Sequence, residues 1–252
     1  KRNNFRRTPS SLKEQGARMQ NKVKYIMMGF VLFFFSVGSG FANDIYIQQS
    51  GNNLDLDISQ DGQNNVIGTS SQGVVLTGNS MTFNIDQIGG ANVVSAIVKG
   101  TTYTGNIDLT GSSNDVALLC DSAGAGNCET VSLSIDITGS NADINVSVGE
   151  AADAQTFTGT IDITSGAAET VTLTVDGKSA IADIDISNSL GSAGNTATYD
   201  INDDGDTNGH TLTHSHTGDG GLINITQSGL YDNIISLTTS GDSAEIDITQ
   251  DD

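Results

Sequence analysis

Four stretches share one phrase: Ile45-Tyr46-Ile47-Gln48-Gln49-Ser50-Gly51, Leu56-Asp57-Ile58-Ser59-Gln60-Asp61-Gly62, Phe83-Asn84-Ile85-Asp86-Gln87-Ile88-Gly89 and Ile223-Asn224-Ile225-Thr226-Gln227-Ser228-Gly229. A fifth copy, Ile246-Asp247-Ile248-Thr249-Gln250, ends the chain. Two apolar residues and a glutamine at i, i+2 and i+4 fall on one face of a strand, because strand side chains alternate. The glycine that follows suits a tight turn with positive φ. Strand, turn and strand, repeated, predict an all-β chain built by stacking.

Working outward, the second apolar residue of each pair serves as a ruler at positions 47, 58, 85, 109, 137, 163, 186, 225 and 248. Its shortest interval fits one strand plus one turn, and its commonest, near twice that, fits two of each. The longest interval holds Asp200 to Gly221, a stretch of different composition, read here as an acidic, His-rich insertion at 200–221. Between rulers lie further alternations, such as Val94/Ala96/Val98, Ile144/Val146/Val148 and Val171/Leu173/Val175. Their period is 2, so they are half-buried strands rather than helices. A two-stranded unit cannot bury its apolar face alone, so its neighbours must cover it. The expected architecture is one elongated β-solenoid over 43–252. Its alternative, a β-sandwich, gives no reason for a glutamine to recur at a fixed place.

Residues 1–42 obey different rules. Lys22 and Lys24 precede an apolar run from Tyr25 to Val37 and the small residues Gly40 and Ala42. Residues 19–42, beginning at Met19, thus read as a secretory signal peptide. A retained anchor is the alternative, although the run is shorter than the roughly 20 residues a spanning helix needs. Residues 1–18 read as a leader upstream of the signal. Eight of the ten basic residues lie at or before Lys24. Beyond residue 42 two lysines face 29 carboxylates, a formal −27 with no Arg. Nucleic acid is therefore excluded as a partner, and the membrane enters only through the signal peptide. Cys120 and Cys128, in an oxidising compartment, suit an intramolecular disulfide that staples a loop.

The recurring phrases resemble the curlin repeats of bacterial curli amyloid fibres. That family's pattern is Gln-x-Gly-x-x-Asn followed two places on by a small or aliphatic residue. Gln60/Gly62/Asn65/Ile67 and Gln87/Gly89/Asn92/Val94 satisfy it, and Gln49/Gly51 and Gln227/Gly229 match its first half. The resemblance covers 45–98 and 222–252 and thins between them, where Leu109-Thr110-Gly111 and Ile137-Thr138-Gly139 lack the glutamine. It implies secretion through curli-type machinery, self-assembly into homo-oligomeric extracellular fibres, and a role in cell adhesion or biofilm matrix. The competing reading is a monomeric β-solenoid adhesin or fibre segment that binds glycans at a cell surface. From the residues themselves, inward Gln49, Gln60, Asn65, Gln87, Asn92, Gln227 and Gln250 are expected to stack as an amide ladder. Asn after the turn is expected to take left-handed backbone.

Other candidates concern cations. The middle residues of the pairs include Asp57, Asp108, Asp136, Asp162, Asp185 and Asp247, expected in one outer column. Like charges opposed across strands repel. Either Ca2+ bound by these surface carboxylates supports the stack, or the column is a solvated face that discourages lateral pairing. Asp200, Asn202 and Asp204 with Gly205 imitate the front of a calcium loop, but Thr211 stands where its bidentate Glu would be. His210, His214 and His216 would share a face if they lie on a strand; they are either a transition-metal cluster or decoration of an exposed loop. Ser215 lacks any nucleophile elbow, so no catalytic residue and no enzyme activity are expected.

Overall fold

The computed structural model describes residues 43–68, 73–120, 128–149, 154–188, 194–202, 209–229 and 232–251. The signal-peptide and leader readings, and Asp204, fall outside these. Among the described residues every regular element is a strand. The first coils contain β1 (Asn43–Ile45), β2 (Gln48–Ser50), β3 (Asp55–Asp61), β4 (Asn65–Ile67), β5 (Val74–Thr77) and β6 (Met81–Gly89). The middle contains β7 (Asn92–Lys99), β8 (Thr102–Gly111), β9 (Asn114–Cys120), β10 (Thr130–Gly139), β11 (Ala142–Val148) and β12 (Thr156–Ser165). It continues through β13 (Thr170–Asp176), β14 (Ala180–Asn188) and β15 (Thr196–Asn202). The last coils are β16 (Thr211–Thr217), β17 (Leu222–Ser228), β18 (Ile234–Ser240) and β19 (Glu245–Asp251).

All pairings are parallel and make two sheets. Sheet A runs β1-β4-β7-β9-β11-β13-β15-β17-β19, with β2 and β5 extending its first rungs; sheet B runs β3-β6-β8-β10-β12-β14-β16-β18. From β5 onward consecutive strands alternate between the sheets, so each coil returns one rung further on. This is a two-sheeted parallel β-solenoid, as the repeat analysis expects, and not a sandwich. Inward positions alternate strictly with outward ones and form a single continuous core. In β12 the inward row is Phe157, Gly159, Ile161 and Ile163, while Thr158, Thr160 and Asp162 face out.

The register corrects the ruler. Ile58 and Ile85 pair onward with Ile107, Ile135, Ile161 and Ile184, whereas Leu109, Ile137, Ile163 and Ile186 continue the column of Gln60 and Gln87. The ruler thus slips by two residues after Ile85. It also changes sheets after Ile186, since Ile225 and Ile248 lie on sheet A. The stretch 200–221 is not an insertion: it holds the end of β15 and the whole of β16, a full core rung. Histidines occupy the inward places of β16, so an apolar ruler passes over it.

Of the motif glycines, Gly51, Gly62 and Gly229 take the positive φ expected of them, at 143°, 151° and 157°, and stacking adds a second demand. Gly62, Gly89, Gly111 and Gly139 stand in one column where sheet B hands over to sheet A. A Cβ on Gly89 or Gly111 would lie 2.3 Å from the carbonyl oxygen of the preceding glycine, and on Gly139 1.6 Å. Close approach of stacked backbones makes glycine necessary at Gly89 and Gly111, positive φ does so at Gly62, and both act at Gly139. Left-handed backbone also falls on Asn64 and Asn141, one residue before the strand, with φ of 59° and 54°. Side-chain packing follows the same economy of space. Tyr103 leans over Gly105 and Phe157 over Gly159, each ring filling the volume that the glycine leaves open.

The cysteines form the expected disulfide, with a Cα–Cα separation of 5.8 Å. Both are buried, and the bridge ties the end of β9 to the approach of β10.

Candidate functional site

The expected single amide ladder divides into three columns. The first is asparagine and the deepest: Asn43, Asn65, Asn92 and Asn114 occupy successive first rungs of sheet A. Asn43 Nδ2 donates to Asn65 Oδ1 at 3.3 Å, Asn65 to Asn92 at 3.3 Å, and Asn92 to Asn114 at 2.9 Å. Asn65 and Asn92 also donate to the carbonyls of Ile88 and Thr110, at 2.9 and 3.0 Å. Asn43, Asn65 and Asn92 each tie their own rung to the next, and Asn114 closes the run by donating to the Gly111 carbonyl at 3.2 Å; all but Asn43 are out of water. Asn114 was legible, because Gly111-x-x-Asn114 keeps the spacing of Gly62-x-x-Asn65.

The second column, at the same edge but on sheet B, is a glutamine pair. Gln87 Nε2 donates to Gln60 Oε1 at 2.6 Å, and Gln60 Nε2 to the Asn43 carbonyl at 2.5 Å. It stops at Leu109. The third lies across the coil, at the far end of the sheet A strands. It begins with Gln49, continues as Leu76, Val98, Cys120, Val148, Val175 and Ile201, and ends with Gln227 and Gln250. Gln227 is fully buried and neither of its amide atoms is hydrogen-bonded. Gln250 turns instead to the Asn233 carbonyl at 2.7 Å. The glutamines face inward as expected, but only Gln60 and Gln87 bond to each other.

Beyond Asn114 the asparagine column changes chemistry. Ala142 follows, then Glu169 where the corner is one residue longer, then Asn195. The Glu169 carboxylate accepts from the Ala142 N–H and the Ser165 hydroxyl, and Ser165 stands in the glycine column. Burial pushes the Glu169 pKa up, and those hydrogen bonds work the other way. Asn195 Oδ1 accepts from the Glu169 N–H at 3.0 Å and from Asn188 Nδ2 at 2.6 Å. Asn195 Nδ2 lies 3.3 Å from His216 Nδ1. Asn188 stands where the motif has its glutamine, two places after Ile186, whereas Glu169 and Asn195 escaped sequence reasoning because no shared motif surrounds them.

The three histidines neither decorate a loop nor converge on an ion. They share one face of β16 with Leu212, as their even spacing foretells, but that face is the core, and each is at most 1% exposed. His210 Nδ1 accepts from the Ala180 N–H at 3.0 Å, and His214 Nδ1 shares a hydrogen bond with the Tyr199 hydroxyl at 3.1 Å. The rings of His214 and His216 are 6.3 Å apart and nearly parallel. Burial drives the His214 pKa down to about 4, assisted by His216, while the Ile184 carbonyl opposes the shift; burial lowers His216 as well. Among the described residues no group of three His, Cys, Asp or Glu is placed to hold a metal ion.

Asp200 and Asn202 belong to the outer face of β15, where Asn202 Nδ2 donates to Asp200 Oδ1 at 2.8 Å. Both are therefore strand residues, and the rest of the calcium-loop stretch, 203–208, lies outside the described residues. The outer carboxylate column is real but shifted: Asp86, Asp108, Asp136, Asp162 and Asp185 stand on five consecutive rungs of sheet B. Asp57 pairs with Asn84 instead, and Asp247 lies on sheet A. Desolvation first, then neighbouring aspartates, raise the pKa of Asp108 and Asp162.

The ends of the stack complete the picture. On sheet A the first rung presents Ile45-x-Ile47-x-Gln49 and the last Ile246-x-Ile248-x-Gln250. Ile45 and Gln49 head the columns that Ile246 and Gln250 close. Ile246 and Ile248 are 43% and 45% exposed, far more than their counterparts within the stack. Comparisons with protein-family models, curated proteins and solved structures return no match to this chain. What the geometry defines is the class: a parallel β-solenoid with polar columns inside it.

Proposed function

We propose that the chain is a secreted, curlin-like structural subunit that joins copies end to end into extracellular fibres for adhesion or biofilm matrix. One observation carries this reading: the first and last rungs of sheet A bear the same Ile-x-Ile-x-Gln row in the same columns. A second copy placed below β19 with the same parallel register would continue isoleucine on isoleucine and glutamine on glutamine. It would cover Ile246 and Ile248 and satisfy the open backbone edge of β19. The column would then run Gln227, Gln250 and the next copy's Gln49, so amides would meet amides across the joint. Column chemistry supports a structural subunit, because the asparagine column and the Gln60–Gln87 pair spend their amides on neighbouring rungs.

Net charge opposes association until salt screens it or acid neutralises it. Residues 43–252, purified, are expected to form thioflavin-positive fibres faster as ionic strength rises. An Ile246→Lys/Ile248→Lys variant should fold but fail to extend fibres, because two charges would be buried at the joint. Protein that stays monomeric at high salt and at low pH would instead favour the glycan-binding module.

A further inference from the structure

The assembly reading makes no use of the histidine row. Three imidazoles in the core of a single rung are an exception in a solenoid whose inward sheet B places are mainly apolar, with the amides Gln60, Gln87 and Asn188 confined to one edge. In the His214 column the preceding rung carries Ile184 and the following rung Leu237. In the His216 column they carry Ile186 and Thr239. We infer that β16 is a proton-operated release for the C-terminal coils: protonation of His214 and His216 opens residues 209–251 while the coils before Asn188 stay closed.

The argument is geometric. Each ring spends Nδ1 on a neutral partner, Tyr199 for His214 and Asn195 for His216, and the Nε2 of each makes no hydrogen bond. A protonated ring carries two N–H donors and a full charge; backbone hydrogen bonding at Ile184 and Gly218 favours that charge, but burial without a counter-charge outweighs it. No carboxylate among the described residues faces the row to neutralise it. From β14 the inward residues are Ala180, Ala182, Ile184, Ile186 and Asn188. From β15 the only titratable inward group is Tyr199, from β17 there is none, and from β18 there is none. Asp183, Asp185 and Asp200 point out of the stack. His210, bonded to the Ala180 N–H, extends the row toward the start of the strand.

Space is equally committed. A Cβ on Gly221 would lie 2.9 Å from His216 Nε2, so the ring already occupies the place that asparagine fills in earlier coils. Two charged rings 6.3 Å apart would also repel each other. What lies beyond β16 is weakly held: β18 and β19 are mostly exposed. Opening from that end uncovers one face of the remaining stack, whereas opening the middle would tear two covered faces.

The sign follows from linkage. An imidazole that protonates more readily when unfolded contributes stability fully present above its ordinary pKa and lost as pH falls from there toward the folded value. For His214 that window runs from 6.5 down to about 4. At pH 4.5 this one ring should raise the opening equilibrium of the C-terminal coils roughly 30- to 100-fold over pH 7.5. His216 adds in the same direction.

Hydrogen exchange with mass spectrometry on residues 43–252, in dilute monomeric protein, tests this once intrinsic rates are corrected for pH. Peptides from 209–251 should lose protection by that factor between pH 7.5 and 4.5, and peptides from 102–148 should not. In Tyr199→Phe/His214→Leu/His216→Leu the C-terminal loss should vanish. Equal loss across the chain, unchanged protection, or the same loss in the triple variant would overturn the inference. Should that variant not fold, NMR titration of the wild-type imidazoles decides. Titration of His214 near 6.5 with the coil still protected would overturn it, and titration well below 6 supports it. None of these readouts depends on whether copies join.

Discussion

Asn92→Asp exchanges one atom at the centre of the asparagine column and should cost more than almost any other isosteric change in the chain. Asn92 is fully buried; it donates to Thr110 O at 3.0 Å and Asn114 Oδ1 at 2.9 Å, and accepts from Asn65 Nδ2 at 3.3 Å. An aspartate keeps the acceptance and loses both donations, which removes about 2–3 kcal/mol. The carboxylate would then face two oxygens. A buried carboxylate so placed has its pKa raised by about 3 units, and the neutralisation costs up to about 4 kcal/mol above that pKa. The summed deficit at pH 7.5 is about 4–6 kcal/mol. A raised folded-state pKa contributes stability at low pH that disappears as pH rises through it. Relative to wild type at each pH, the deficit should therefore shrink to about 2–3 kcal/mol at pH 5, where the acid O–H restores one donor. Urea unfolding at pH 5, 6, 7 and 8 reads this directly. A deficit below about 1 kcal/mol, or one that does not vary with pH, would refute the claim that the column bonds as a chain of donors and acceptors.

Three further expectations concern other parts of the stack. Gly139→Ala places a methyl 1.6 Å from the Gly111 carbonyl and should cost about 3 kcal/mol or more, whereas Gly166→Ala, with nothing within 4 Å, should be near neutral by thermal melting. Cys120→Ala/Cys128→Ala, or reductant on the wild type, should lower stability by about 2–3 kcal/mol as read by urea midpoint, in keeping with a bridge between residues 8 apart. Asp136→Asn removes the central charge that raises Asp108 and Asp162, and should stabilise the stack by about 0.5 kcal/mol at low salt and neutral pH. That gain should fade at high salt. It should also fade on acidification, because carboxyls with raised pKa recover their stability as pH falls through the folded value.

The fold was legible because it obeys one rule everywhere: alternate residues face a narrow core. Glutamine and glycine at fixed places pointed to stacking, and the register confirms that each β-phrase is one rung. What the sequence concealed was the identity of each column. Leu109 follows Gln87 in space although the motif suggests that it follows Ile85, because an apolar pair looks the same wherever it begins along a strand. Period alone fixes the face, and only the turn length fixes the register. His214 and His216 were misplaced for a related reason. Their outward neighbours Thr213, Ser215 and Thr217 match the outer faces of the other strands, yet imidazole is polar enough to be taken for surface. Glu169 shows the limit of motif reading: a carboxylate can fill an asparagine's place only because Ser165 and the longer corner supply partners that local sequence does not announce.

The two edges of the coil differ in how much chain they spend. From sheet B to sheet A, the turns after Gly62, Gly89, Gly111 and Gly139 are short and nearly uniform, clamped by stacked glycines and the asparagine column. From sheet A to sheet B, the crossings after Cys120, Val148, Asn202 and Ser228 vary in length, and the first is closed by the disulfide. One margin thus acts as a spine and the other as a fringe. Peptides inserted into the fringe would therefore leave the spine's spacing untouched, so that margin can change in length without disturbing the register of the rungs.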